Sequence, residues 1–417
     1  MGKVANIIAR EVLDSRGNPT VEVEVYTSKG SCGRGIAPSG ASVGSREALE
    51  LRDKDRNRYS GKGVLEAVSN VQNFIFPAIR GINVEDQQKI DSLMIDADNT
   101  YNKSKLGANA ILATSIACLD AAAKENNKMV CELLNPNSNT LPVPLMNIIN
   151  GGAHANNSLD IQEFMIVPHG MKSFREAVRC GAEIFHNLKL ILNDKNLSVA
   201  VGDEGGFAPQ ISATKEAIDL ILLSIKKSGY MLGKDVSLGL DVAASEFYKD
   251  RYYRFKSGAK KSSQELLEFY NDLLSDYPII SIEDGMAEND IIGWKVLSNN
   301  LTKVQLVGDD VFVTNIDILK EGVSNKIGNA ILIKPNQIGT ITETLDVINY
   351  AKSQGYKCVM SHRSGETEDV IISHLAVAMS CEQIKIGSLC RVDRTAKYNE
   401  LMRIEDRLGK KSKYLGF

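Results

Sequence analysis

Between residues 163 and 385, charged side chains recur where short apolar runs end: Glu163, Glu204, Asp241, Glu283, Asp309, Lys334, the triplet His362-Arg363-Ser364, and Lys385. The clearest case is AILIKPNQIG (330–339), a β-favouring run that delivers a lysine and then stops at Pro335 and Asn336. A solvated loop charge is the ordinary explanation for any one of these positions. Eight in succession are not explained that way. Asp241, Glu283 and Asp309 carry no adjacent lysine, and three convergent carboxylates repel unless a cation sits between them. Oxygen donors without cysteine suit Mg²⁺ rather than Zn²⁺. Beside divalent ions the charged forms of Lys334 and Lys385 are expected to be disfavoured, which makes a lysine a usable base. Arg363 and Ser364 offer a fork and a hydroxyl for phosphate. The chemistry these residue types point to is a small phosphorylated acid, a metal-stabilised carbanion, a lysine base and a glutamic acid opposite.

Those positions need a frame that turns many strand ends toward one place. After the turn-rich stretch NPNSNTLPVP (135–144) the sequence alternates strand, loop and helix. Strands are expected in 161–168, 198–206, 236–247, 279–285, 304–313, 330–337, 358–366 and 383–388, with amphipathic helices such as SFREAVRCGAEIFHNLKLILND between them. From Asp241 onward the charged tips fall 23–42 residues apart, near the βα-unit length of a closed barrel, whose active site lies at the C-terminal strand ends. No GxGxxG follows a first strand, so a dinucleotide fold is disfavoured. Before residue 135, VEVEVYT (21–27) alternates after the turn DSRGNP (14–19) and predicts an antiparallel meander. PSGASVGSREALELRD (38–53) reads as a small-residue loop turning helix-forming, and helical spacing follows over 63–80, 84–98 and 105–126. The expected class is α/β, with a small α+β domain over 1–134 and a catalytic βα-barrel over 142–417.

Composition removes other classes. The chain has 417 residues, 24% of them charged, and a net charge of −3, so nothing in the overall field recruits nucleic acid or lipid. Seven scattered cysteines form no CxxC pair, and charges interrupt every apolar run of the N-terminus; both point to a reducing, cytoplasmic setting. No apolar run approaches the roughly 18–20 residues of a membrane span.

The longer motifs then become recognisable. DSRGNPTVEVEV (14–25), KSKLGANAILATSIA (103–117), GGAHANNSLDIQEFMIVP (151–168), GDEGGFAP (202–209), SIEDG (281–285), GDD (308–310), LIKPNQIGT (332–340) and SHRSGETED (361–369) resemble the enolase family over the whole chain. The resemblance implies an enolase-type barrel with an irregular start and the reversible dehydration of 2-phosphoglycerate to phosphoenolpyruvate. One Mg²⁺ would sit on Asp241, Glu283 and Asp309, and a second would arrive with substrate at Ser42 of a mobile loop. Lys334 would take the carbon-2 proton and Glu204 would protonate the leaving hydroxyl. Glu163, Gln162, His154 and His362 would surround that hydroxyl, Arg363 and Ser364 would clamp phosphate, and Lys385 would contact the carboxylate. It also implies a homodimer, in some members paired into octamers. Similar proteins have secondary cell-surface or secreted pools and RNA-processing partners.

Glu382, Ile386 and Cys390 flank Lys385 where the family usually has smaller or more polar residues, and Asn156 stands where Asp is common. Two rival functions make different demands on these motifs. A superfamily racemase or cycloisomerase would favour a KxK pair, which VAVGDEGG lacks. A non-catalytic binding protein on the same scaffold would be signalled by loss of Lys334, Glu204 or a metal ligand, and all are present.

Overall fold

The structure, a computed structural model, describes residues 2–40 and 46–417. Its first strands, β1 (Val4–Leu13), β2 (Pro19–Thr27) and β3 (Cys32–Ile36), form the expected antiparallel meander. Val21, Val23 and Val25 of β2 are fully buried in a core shared with α1 (Gln87–Asp98) and α2 (Ala108–Glu125). Helix α2 is rich in small residues because β3 passes against its backbone. A Cβ on Gly33 would lie 2.1 Å from Ala121 N, and one on Gly35 would lie 2.4 Å from Ala113 O.

The helix-forming reading of the segment before residue 53 fails. Residues 46–53 hold no helix, because their backbone bonds go outward: Ala48 N to Gln337 O (2.8 Å), Leu49 N to Asn102 O (2.8 Å) and Leu51 N to Asn109 Oδ1 (3.2 Å). Tertiary partners override propensity here.

The rest of the chain closes an eight-stranded barrel of β4 (Val143–Asn150), β5 (Glu163–Val167), β6 (Ser237–Asp241), β7 (Ile279–Glu283), β8 (Gln305–Gly308), β9 (Ala330–Ile333), β10 (Lys357–Ser361) and β11 (Gln383–Lys385). Two of the expected details change. The first barrel strand is β4, and the run 198–206 is a loop that joins no strand ladder and pairs through isolated bridges such as Val201 to Phe207. Its glycines explain this: a Cβ on Gly206 would lie 2.6 Å from Asn150 Oδ1, so the segment presses on β4 rather than replacing it. In addition, β5 runs antiparallel to both neighbours. Glu163 therefore reaches the mouth as the first residue of its strand, not the last.

Side-chain parity carries charges to that mouth. Val143, Leu145, Met165, Val307, Leu332 and Val359 fill the barrel interior, while Phe164, Leu240, Ile282, Ile331, Ile333 and Ile384 pack outward into the main core beneath the helices. The period of two then makes Glu163, Asp241, Glu283, Asp309, Lys334 and Lys385 inward-facing. The row is in register: Asp241 pairs with Glu163 on one side and Glu283 on the other. Among the described residues no helix is long and apolar enough to cross a membrane.

Asp91 of α1 pins the meander's helices to the barrel. It is fully buried and accepts from Thr342 N (2.9 Å) and Thr342 Oγ1 (2.6 Å) at the start of α3 (Ile341–Ser353), from Ser115 Oγ (2.7 Å) and from Gln87 Nε2 (3.0 Å). Asp91→Ala strands these donors and is expected to lower stability by about 2–4 kcal/mol, read as a shifted urea midpoint. An unchanged midpoint would mean the pin contributes nothing.

Candidate active site

At the mouth the inward row meets two ammonium groups. Lys385 Nζ lies 2.8 Å from Asp241 Oδ2, 2.7 Å from Glu283 Oε1 and 3.1 Å from Glu163 Oε1. Lys334 Nζ lies 2.5 Å from Asp309 Oδ2. All six side chains are largely shielded from water. Burial pushes Glu163 and Glu283 well above the usual carboxylate range, with neighbouring acids adding to it. The two lysines are pushed both ways. Burial alone would lower both, but Asp309 holds Lys334 above its ordinary value, and Asp241, Glu163 and Glu283 do the same for Lys385. Each ammonium is kept charged by the acids it neutralises; the suppressed charge expected beside divalent ions belongs to the state in which a metal takes over those acids.

Asp309 is held from behind. Asp284 accepts the backbone N–H of Asp309 (2.9 Å) and of Asp310 (3.0 Å), and Gln337 Nε2 donates to Asp309 Oδ1 (3.0 Å). Asp284 sits at φ +41°, a strained value for a residue with a Cβ, directly after Glu283.

Across the mouth, Glu204 projects from its loop with Oε2 facing Asn147 Nδ2 (3.2 Å) and His362 Nε2 (3.4 Å). His154 Nδ1 lies 3.7 Å from both Glu204 Oε1 and Glu163 Oε1. Burial pushes His362 down to about 4, so at neutral pH the ring offers an N–H and not a charge. Burial would raise Glu204 as it raises Glu163, yet the His362 and His154 rings and Arg394 outweigh it and hold Glu204 low. Glu163 and Glu204 are thus pushed in opposite directions.

Arg363 is buried and paired with Glu47 (2.8 Å) and with Asn336 Oδ1 (3.0 Å). Gln162 Nε2 reaches Asp241 Oδ2 at 3.3 Å. Lys334, Lys385, Glu163, Glu204, His154, His362, Gln162, Arg363, Ser364, Asp241 and Asp309 all line one cleft, and Glu283 is bonded to Lys385. Ser42 lies outside the described residues. The sequence reading missed Asn147, Asp284, Asp310, Gln337, Glu47 and Arg394. Of these only Asn147 left a signal, a polar residue inside the apolar run VPLMNIIN.

The donors suit a hard divalent cation. Apart from the His154 ring nitrogen they are oxygen, and Glu163 Oε2 and Glu283 Oε2 are buried without a hydrogen-bond partner. Among the described residues, the groups whose ligand atoms lie within 4.8 Å of one another are Asp284, Asp309, Asp310 and His154, Glu163, Glu204. The expected trio of Asp241, Glu283 and Asp309 is instead divided between Lys385 and Lys334.

Lys385→Met leaves Asp241 and Glu283 without their ammonium and is expected to cost about 3–5 kcal/mol at pH 7 in chelator. Raised carboxylates bind more protons folded than unfolded, so stability falls as pH rises through this range. Part of the loss should return at pH 5 in urea titrations. A loss equal at both pH values would contradict the charge argument.

Residues 4–134 match the family described as Enolase, N-terminal domain, and residues 138–417 match Enolase, C-terminal TIM barrel domain. These matches span nearly the whole chain and bring with them an enolase-type hydro-lyase site served by a divalent metal, which the acidic groups of the mouth suit. A closed barrel, a reversed second strand and a mouth of opposed lysines and carboxylates thus belong with the two domain matches: the chain is a member of the enolase family.

Proposed function

We propose that the protein is a glycolytic phosphopyruvate hydratase, catalysing the reversible, Mg²⁺-dependent dehydration of 2-phosphoglycerate to phosphoenolpyruvate in the cytoplasm. The observation that carries this reading is the separation of base and acid within one cleft. Lys334 follows β9, whereas Glu204 is bonded to Asn147 of β4, three strand positions away round the barrel. Such placement supports removal of a proton from one face of a substrate and loss of hydroxide from the other.

The carbon-2 proton is weakly acidic because its removal places a second charge on the adjacent carboxylate. Divalent ions supply positive charge where that charge develops and relieve the lysines of neutralising the acids. Asp241, Glu283 and Asp309 would hold one Mg²⁺, and Ser42 would contribute to a second that enters with substrate. With Asp309 engaged by a metal and no longer holding its charge, Lys334 in its neutral amine form would take the proton from carbon 2. Glu204 protonates the leaving hydroxyl, and His154 stands 3.7 Å from both Glu204 and Glu163. Arg363 exchanges Glu47 for the substrate phosphate, with Ser364 beside it, and Lys385 turns toward the substrate carboxylate. Gln162, bonded to Asp241, lines the leaving-group side.

Product formation is read by ultraviolet absorbance of phosphoenolpyruvate, with turnover expected in Mg²⁺ and none in chelator. Metal-independent turnover, or silence in ample Mg²⁺, would sink the assignment. Lys334→Ala is expected to slow exchange of the carbon-2 hydrogen by about 10²–10⁴-fold. Glu204→Gln should keep that exchange while losing dehydration to a similar degree. Reversed outcomes would swap base and acid.

A further inference from the structure

Arg394 lies behind the cleft on α4 (Val392–Leu408), and its side chain is 0% exposed. Burying a guanidinium is costly unless its donors are met. One acid stands close, with Asp393 Oδ2 2.7 Å from Nε. The other partners are neutral: Nη1 donates to Arg363 O (2.5 Å), and Nη2 donates to Ser364 O (2.6 Å) and Asp203 O (3.2 Å). Nη1 also lies 2.5 Å from His362 Nδ1.

That last contact has one chemical solution. Guanidinium nitrogens only donate, so His362 Nδ1 must accept, and the ring's single proton must sit on Nε2. Nε2 is the nitrogen facing Glu204 Oε2. With Asn147 and His362 both turned to Oε2, the other carboxyl oxygen, Oε1, is left toward His154 and Glu163. A glycine makes the cluster possible. A Cβ on Gly387 would lie 2.8 Å from Arg394 Cδ, 2.8 Å from Glu204 O and 3.0 Å from His362 Cε1. The backbone of Glu204 is fastened at the same spot, where its carbonyl accepts Ser388 N at 2.9 Å.

We propose that Arg394 is a positioning residue: it locks His362 in the Nε2–H form facing Glu204 and ties the loop bearing Glu204 to the turn bearing Arg363 and Ser364. Its catalytic consequence rests on the function proposed above; the tautomer does not. An arginine serving only to fill space would leave the ring free to carry its proton on either nitrogen. Here Arg394 selects which oxygen of the acid is engaged and which is presented.

The test begins with the intact wild-type chain, labelled with ¹⁵N-histidine. The His362 resonances, assigned by their loss in His362→Gln, are expected to report a neutral ring protonated at Nε2 between pH 6 and 8. An Nδ1–H ring or an imidazolium in that range would overturn the lock. Arg394→Lys is then compared in two half-reactions with 2-phosphoglycerate and Mg²⁺. Exchange of the carbon-2 hydrogen should stay within about threefold, while dehydration falls about 10–100-fold. Equal losses in both would overturn the positioning role in favour of a structural one. Should the variant fail to fold, the wild-type ring spectrum still decides. Wild-type silence toward 2-phosphoglycerate would sink the function alone, since the spectrum is read without substrate.

Discussion

Crowding of like charge at the closed end of a barrel is the constraint on which the rest of this structure depends. Period two and the strand register bring Glu163, Asp241 and Glu283 into one inward row, with Asp309 just past the end of the next strand. Such a row is unstable without positive charge inside it. Two lysines provide it, each held in the charged form by the acids it serves. The same need that makes the folded chain tolerate buried lysines makes it receptive to a divalent cation. Stability and metal affinity are thus two responses to one electrostatic problem.

Around that centre the supporting shell is mostly backbone. Asp284 spends both carboxylate oxygens on the N–H groups of Asp309 and Asp310, and Arg394 spends its donors on the carbonyls of Asp203, Arg363 and Ser364. Gln337 links Asp309 to Thr314, whose hydroxyl donates to Gln337 Oε1 at 2.6 Å. These groups fix where the reacting side chains point without touching the reacting atoms.

This division explains how much was legible in the sequence. Charges at the ends of apolar runs, and the lengths between them, were enough for a barrel and for its lysines and acids. The meander and the helix over 105–126 followed from alternation and small residues. The first barrel strand was hidden because Pro144 and the turn-rich lead made it resemble a boundary, while the β-branched alternation of 198–206 mimicked a strand. The reversal of β5 has no local signature, since an alternating run reads the same in either direction. Asp284 and Arg394 stayed invisible because their partners are backbone groups that every residue possesses. The state of the lysines is not written in the sequence, because it depends on which cation shares the mouth with them.

The loop that carries Glu204 has a consequence of its own. Lys334 is continuous with a barrel strand, so its place is fixed by the sheet. Glu204 stands on an arm fastened to the barrel by side bonds: Asn150 N to Phe207 O, Phe207 N to Ile148 O, and Ser388 N to Glu204 O. The two halves of the site therefore rest on mechanically separate supports. Divergence along the arm can retune or discard Glu204 while the sheet, its register and its cluster of lysines and acids stay intact, so a scaffold of this kind can change one half of its cleft without rebuilding the other.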